Sequence, residues 1–360
     1  MTRAGRLARV WRATALRPRR LSLVVLALVA TVAATTARAA PRLGGHGADL
    51  SETSVSGVSS GGYMAVQFHV AHSRLVKGAG VLAGGPYYCA QGSVWTASYN
   101  CLAPGPWTPV PDPARLRTLT ESLAAAGAID PSSNLAGARV WLFRGTQDTT
   151  VSRPVVEALE RFYRYFVPER SVVVVNDQPA GHAMVTEDFG NECRGTGSPF
   201  INDCDYDAAG ELLKHIHGRL KPALDSPSGT LVEFDQREFA GGDAYAISMA
   251  DTGYAYVPRA CAAGRCRVHV AFHGCRQSVE SVGDAFVRHA GYNRWADPNA
   301  TIVLYPQTIS RSVWWPGAGF VFNPQGCWDW WGYTGPDYHT KSGRQIQAVR
   351  RMLERLAQPR

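Results

Sequence analysis

Residues 57–61 read Gly57-Val58-Ser59-Ser60-Gly61, two adjacent serines fenced by glycines. A G-x-S-x-G string between a strand and a helix forms a sharp turn that presents a serine hydroxyl above a sheet, and flanking glycines relieve crowding around the strained position. The pattern centres on Ser59 as nucleophile and gives Ser60 a different task, because the N–H after the nucleophile supplies one donor to an oxyanion. A serine hydroxyl needs a base to take its proton and a third group to orient that base. Both follow in the order Ser, Asp, His: Asp148 lies just past the apolar run in "ARVWLFRG", and His182 lies past "RSVVVVND" in a loop with Gly181 before it. His182 is then the base, and Asp148 holds the imidazole and stabilises its charged form. Each residue also has a plainer reading. Asp148 can cap the helix of "TVSRPVVEAL", with Asp177 or Asp188 as the acid instead, and a lone loop histidine is commonly only solvated. Three matches in the required order outweigh one bare string.

Such a site needs buried strands to aim its loops. Short apolar runs alternate with helical patterns, which predicts a mostly parallel central sheet flanked by helices. "TSVSG", "GAGVLAGG", "ARVWLFRG", "RSVVVVND", "GYAYVP", "RVHVAFHG" and "ATIVLYPQ" read as strands. "MAVQFHVAHSRLV", "PVVEALERFYRYF", "AAGELLKHIHGRL" and "GRQIQAVRRMLERLA" read as helices, the first as an amphipathic run directly behind the serine turn. The stretch "KPALDSPSGT", residues 221–230, is the best internal linker within a single domain spanning 40–360.

Residues 1–39 have the form of an export leader. Seven arginines from Arg3 to Arg20 precede "LSLVVLALVATVA", and "ARA" at 37–39 supplies a small-x-small cleavage site. The apolar run is short for a bilayer span, so no stable membrane insertion is expected after cleavage. The chain has 37 Lys+Arg against 29 Asp+Glu, and eight of those arginines lie in residues 1–39, which leaves 29 of each sign beyond. With its basicity confined to the leader, the chain gives no electrostatic case for nucleic acid or an anionic membrane. Eight cysteines, all beyond the leader, point to disulfides in a secreted or periplasmic protein. Proximity pairs Cys89 with Cys101, Cys193 with Cys204 and Cys261 with Cys266, which leaves Cys275 and Cys327; eight cysteines allow 105 connectivities, so spacing proves none of them. No CxxC accompanies paired histidines, which argues against zinc. "DCDYD" imitates the start of a calcium loop but has Ala208 and Lys214 where glycine and glutamate belong, so it reads as an acidic helix cap and no metal is assigned.

One piece stands out of order. An oxyanion-loop motif of the His-Gly type ordinarily precedes the serine turn in α/β-hydrolases, yet "VAFHGCRQS" places His273-Gly274-Cys275 far behind Ser59. A circular permutation accounts for this if the usual first strands have moved behind the linker, and it makes His273 part of the oxyanion turn rather than the base. Trp314, Trp315, Trp328, Trp330 and Trp331 crowd into one Gly/Pro/Asn-rich stretch with Tyr333 beside them. Amphipathic rings of this kind suit an extended apolar ligand, although some must be packing residues.

"SGVSSGGYMAVQFHVAHS", "AGGPYYCA", "GTQDTTV", "INDCDYDAAGELLKHIHG", "DTGYAYVPRAC", "HVAFHGCRQS", "GYNRWAD" and "NPQGCWDWWGY" together resemble the circularly permuted poly(3-hydroxybutyrate) depolymerases, from about Leu50 to the C-terminus. The resemblance implies a circularly permuted α/β-hydrolase with Ser59, Asp148 and His182 as the triad. It also implies oxyanion donors at the Ser60 and Cys275 N–H groups, Trp330 at the substrate site with Trp328 and Trp331 beside it, and cysteines at all eight observed positions. It calls for no cofactor, and a monomer acting on a hydroxyalkanoate polyester or its oligomers is expected. The chain carries no threonine-rich linker to a separate binding domain, which favours amorphous polymer or soluble oligomers. The rival readings are a feruloyl or acetyl esterase on plant polysaccharide, and a catalytically silent protein that binds polyester granules through its tryptophans.

Overall fold

Strands covered by helices on both faces must be apolar at successive positions, unlike the half-buried strands of an open sheet. The computed structural model, which describes residues 40–315 and 319–360, has such strands at its centre; the expected leader lies outside the described residues. In chain order the elements are β1 (Thr53–Val58), α1 (Ser60–Ala71), β2 (Val76–Leu82), α2 (Val94–Asn100), α3 (Pro113–Ala125), β3 (Arg139–Phe143), α4 (Arg153–Arg164) and β4 (Val172–Val175). Three short strands follow, β5 (Met184–Thr186), β6 (Asn191–Glu192) and β7 (Ile201–Asp203), and then α5 (Ala208–His217). The remainder comprises β8 (Thr230–Asp235), β9 (Thr252–Val257), β10 (Arg267–Phe272), α6 (Val279–Val282), α7 (Ala285–His289), α8 (Tyr292–Ala296) and β11 (Thr301–Tyr305). A hairpin of β12 (Arg311–Trp315) and β13 (Gly319–Asn323) precedes the last helix, α9 (Arg344–Ala357).

Eight strands form one sheet in the order β4-β3-β2-β1-β10-β11-β9-β8. Counted from β8 and wrapped round to β4, the strands lie in sequence across the sheet apart from one exchange, β10 with β11. Only β9 runs against the rest. That is an α/β-hydrolase sheet whose chain starts partway through, as the displaced His-Gly motif implies. The two junctions are both visible. Residues 218–229 carry no regular element but are pinned where Ser228 N–H donates to Asp297 (2.8 Å) and Leu224 N–H to the Arg294 carbonyl (3.0 Å). At the other junction, the N–H groups of His46 and Ala48 both donate to the Leu356 carbonyl, each at 3.0 Å, so the segment ahead of β1 lies against the end of α9.

Alternation along β3 divides the core between the two faces. Val140 and Leu142 join the layer holding Phe68, Phe272 and Met352, whereas Trp141 and Phe143 join the layer holding Leu212, Tyr292 and Tyr305. The helix behind the serine turn differs from expectation. All twelve residues of α1 are buried, so it is not amphipathic, and it starts at Ser60 and stops at Ala71 because Val76 already belongs to β2. β8 directly after the linker, helices α2 and α3, and the three-stranded sheet β5-β7-β6 have no counterpart among the predicted elements. The tryptophans also divide between two elements: Trp314 and Trp315 on the hairpin, and Trp328, Trp330 and Trp331 on the turns that follow.

Candidate active site

Ser59 stands between β1 and α1 with φ 57° and ψ −123°, a combination that costs a non-glycine residue about 1–3 kcal/mol. The surroundings hold it there: its N–H donates to the Leu82 carbonyl (3.0 Å), and its carbonyl accepts from Tyr63 N–H (3.0 Å). The glycines of the motif are close-approach residues. A Cβ on Gly57 would meet the Gly61 carbonyl oxygen at 2.2 Å, and one on Gly61 would meet that of Phe272 at 2.2 Å. Ser60 opens α1, where the first N–H groups lack an intrahelical acceptor and point out of the helix. Its hydroxyl has a task the sequence did not suggest, accepting the backbone N–H of Trp328 at 3.4 Å.

Asp148 is buried in the loop after β3. One carboxylate oxygen accepts the N–H groups of Thr150 (2.8 Å) and Val151 (3.0 Å), and the other receives His182 Nδ1 at 2.9 Å. The N-cap of α4 is Ser152, so Asp148 does not cap that helix. Asp177 and Asp188 are exposed, and Asp188 faces Arg294 at 3.3 Å, so neither serves as the acid. The loop carrying His182 is held through its backbone: Gly181 N–H donates to the Cys193 carbonyl (2.8 Å) and His182 N–H to Thr196 Oγ1 (2.9 Å). Both contacts fall within the β5-β7-β6 unit, stapled by Cys193–Cys204.

The turn after β10 is fixed at both backbone groups of Gly274. Its N–H donates to Gln277 Oε1 (2.7 Å), and its carbonyl lies 2.7 Å from His273 Nδ1. Thr308 N–H donates to His273 Nε2 (3.1 Å), so Nε2 is the bare nitrogen and Nδ1 carries the proton given to Gly274. Burial lowers the His273 pKa to about 4, which keeps this donor neutral and unsuited to act as the base. The polarised carbonyl shares its peptide plane with the Cys275 N–H. Gln277 continues to the carbonyls of Phe200 (2.8 Å) and Pro199 (3.2 Å), joining this turn to the histidine's side of the site. Gln277, though inside the quoted "VAFHGCRQS", and Thr308 were given no role in sequence because their partners are backbone groups brought near by folding.

Ser59, His182, Gly274, Cys275, Trp330 and Trp331 line one cavity of about 230 Å³. Val94 and Leu102 add apolar wall from the α2 side, and Phe322 from the hairpin. Trp330 stacks on Tyr63 with centroids 4.0 Å apart, and its buried indole N–H has no protein partner among the described residues. Trp328 corrects the sequence reading: it is fully buried against Phe272 and His273, absent from the lining, and packs the site from below. Asp329, also missed, holds the tryptophan turn. Its carboxylate accepts the N–H groups of Gly332 (2.7 Å), Tyr333 (3.1 Å) and Thr334 (2.7 Å), and burial still raises its pKa above the ordinary carboxylate value. An aspartate ahead of Gly and Thr is the local signal that marks such a turn.

All four disulfides, Cys89–Cys101, Cys193–Cys204, Cys261–Cys266 and Cys275–Cys327, match the proximity pairing. A second set of Ser–His contacts lies under β1, where Ser54 and Ser56 bond the two ring nitrogens of His269 at 2.8 and 2.7 Å. All three are sealed from solvent, so the set is structural. Asp207 caps α5 by accepting Gly210 N–H (2.8 Å), the role expected of the acidic run, and the described residues contain no metal-ligand cluster.

No protein-family model matches the chain. A poly(3-hydroxybutyrate) depolymerase of Delftia acidovorans is 44% identical over 86% of this chain, which spans 60% of that relative's length. A polyhydroxybutyrate depolymerase of Talaromyces funiculosus is 38% identical over 82% of this chain and 86% of its own. Among solved structures, a PHB depolymerase complexed with R3HB trimer superposes with a TM-score of 0.79 at 35% identity, and the PHB depolymerase from Penicillium funiculosum with 0.78 at 34%. Each covers 88% of this chain and 98% of the solved one. With the permuted sheet, the Asp148-paired His182 lining the same cavity as Ser59 and the four disulfides already in place, this likeness establishes that the chain belongs to the poly(3-hydroxybutyrate) depolymerase family.

Proposed function

We propose that the protein is an exported serine esterase that hydrolyses poly(3-hydroxybutyrate) or its oligomers. The observation that carries this reading is the buried Asp148–His182 pair opening with Ser59 onto an apolar, tryptophan-lined cavity. Ser59 Oγ attacks the ester carbonyl as His182 takes its proton, and the Ser60 and Cys275 N–H groups receive the oxyanion. His182 then returns the proton to the departing alcohol, leaving an acyl-enzyme that water hydrolyses by the same steps in reverse order. Trp330 and Trp331 flank the polyester chain. Four disulfides support export after removal of residues 1–39, and no described helix is long and apolar enough to cross a membrane. We take residues 40–360 as one catalytic domain acting as a monomer without a cofactor.

The test compares the protein lacking its leader with its Ser59→Ala variant on amorphous polymer, hydroxybutyrate oligomers and a feruloyl ester. Wild-type turnover of polymer or oligomer, lost by at least about 1000-fold in the variant, is expected. Turnover of the feruloyl ester alone, or a folded variant with full activity, overturns the proposal.

A further inference from the structure

Every cut in a hydroxyalkanoate ester leaves a carboxylate, and a soluble oligomer already carries one at its acid end, whereas the interior of a polymer strand is neutral. Among the described residues lining the cavity, Arg276 is the one with a fixed charge. Its side chain is exposed, and no carboxylate of the described residues pairs with it. Its posture is set all the same. The guanidinium lies over the Phe200 ring at 4.8 Å, and the Arg276 N–H donates to the Gln325 carbonyl at 2.7 Å. The backbone there has φ 56°, a left-handed conformation in which a long side chain is uncommon. Cys275 on one side is tied to Cys327, and Gln277 on the other is buried. A planar cation held against an aromatic ring keeps its N–H edge free for a carboxylate, which it can meet with two parallel hydrogen bonds.

Resting on the esterase reading above, we infer that Arg276 is a specificity-determining residue that binds the free carboxylate end of hydroxyalkanoate oligomers and favours cleavage of their acid-terminal ester bond. In that step Ser59 Oγ bonds to the carbonyl carbon. The bond to the terminal hydroxy acid's oxygen breaks, and His182 returns its proton to that oxygen, so the released hydroxy acid departs with its carboxylate at Arg276. The residue thereby separates soluble oligomers from polymer interior, to which it offers no charge interaction.

The experiment measures kcat/KM for a hydroxybutyrate trimer as free acid and as methyl ester, in wild type, Arg276→Gln and Arg276→Lys. The wild type is expected to prefer the free acid. In Arg276→Gln the acid-to-ester ratio is expected to fall roughly fivefold to tenfold, as suits an ion pair at the rim of an apolar cavity. Arg276→Lys recovers part of the ratio, and raising salt from about 50 to 500 mM narrows the wild-type preference. A ratio unchanged in Arg276→Gln, or a salt-independent preference, overturns this inference and leaves the esterase reading standing. A wild type that cleaves neither trimer while cleaving a feruloyl ester overturns both. The position is solvent-exposed, and matching melting temperatures of the three proteins show that the ratio reports binding rather than folding.

Discussion

At the scale of single residues, the site separates groups that do chemistry from groups that aim them. His273 is the sharpest case: its Nδ1 proton polarises the peptide whose N–H is the proposed second oxyanion donor, while its Nε2 is occupied by Thr308. Asparagine can reproduce the Nδ1 donor, whereas glutamine reaches only toward the Nε2 position. His273→Gln is therefore expected to lower kcat on a soluble butyrate ester by about 10- to 100-fold with KM within about twofold, a fraction of the cost of losing an oxyanion donor outright. His273→Asn should stay within a few-fold of wild type in kcat. Equal losses in the two variants would show that the ring matters only for packing. The proposed nucleophile, acid and base could be named from the chain because a strained turn and two strand ends leave local marks, and the structure sets Asp148 against His182 with Ser59 on the same cavity. Asp329, Gln277 and Thr308 could not, since each acts on backbone groups whose position only the fold decides. Trp328 was misread for a related reason: sequence counts aromatic rings but does not say which of them face inward.

Among the elements, the disulfides follow function in their placement. Cys275–Cys327 ties the oxyanion turn to the tryptophan turn, and Cys193–Cys204 braces the strands behind His182. Cys89–Cys101 spans α2, and Tyr63, beneath Trp330, bonds the Cys101 carbonyl. Cys261–Cys266 lies beyond the cavity lining, near the start of β10. Replacing Cys275 and Cys327 by alanine opens a loop with a sequence separation of 52. A stability loss of roughly 2–4 kcal/mol is expected in chemical denaturation, with kcat lowered about tenfold or more as the oxyanion turn loosens. The same change at Cys261 and Cys266, with a separation of 5, should cost less stability and leave kcat nearly intact. Similar kinetic losses from the two pairs would argue against any special tie to the site. The strands of the central sheet were visible in the chain as apolar runs. β8 was not, because as an edge strand it is mostly half-buried and shows no continuous apolar run. The short β5-β7-β6 unit carries too few residues to show a period.

Over the whole molecule, burial sets the response to acid. Seven histidines are held below the ordinary value of 6.5 mainly by burial: His69 and His269 at about 3, His72, His217, His273 and His339 at about 4, and His46 in the same direction. In each case the unfolded chain binds the proton more readily. Their contribution to stability is thus fully present above pH 6.5 and is lost as pH falls through 6.5 toward about 4. A shift of two units corresponds to roughly 3 kcal/mol per group when fully expressed. Asp329, with its pKa raised, works in the opposite sense, but it is one group against seven. Melting temperature should be nearly level between pH 8 and 7 and then drop steeply between 6.5 and 4.5; a flat profile across that range would refute this account.

The rotated chain order also fixes when the enzyme can first exist. Nucleophile, acid and base are all present by residue 182, yet β1 is flanked in the sheet by β10, and Ser56 meets His269 across a gap of 213 positions. A chain emerging N-terminus first therefore holds the full set of proposed catalytic side chains long before it has the strand that bears the proposed oxyanion turn. Contacts across so long a stretch form late and slow folding. The consequence, on the proposed function, is a built-in delay: hydrolytic competence would arrive only with the last third of the polypeptide, after the proposed export leader at the front has had time to act.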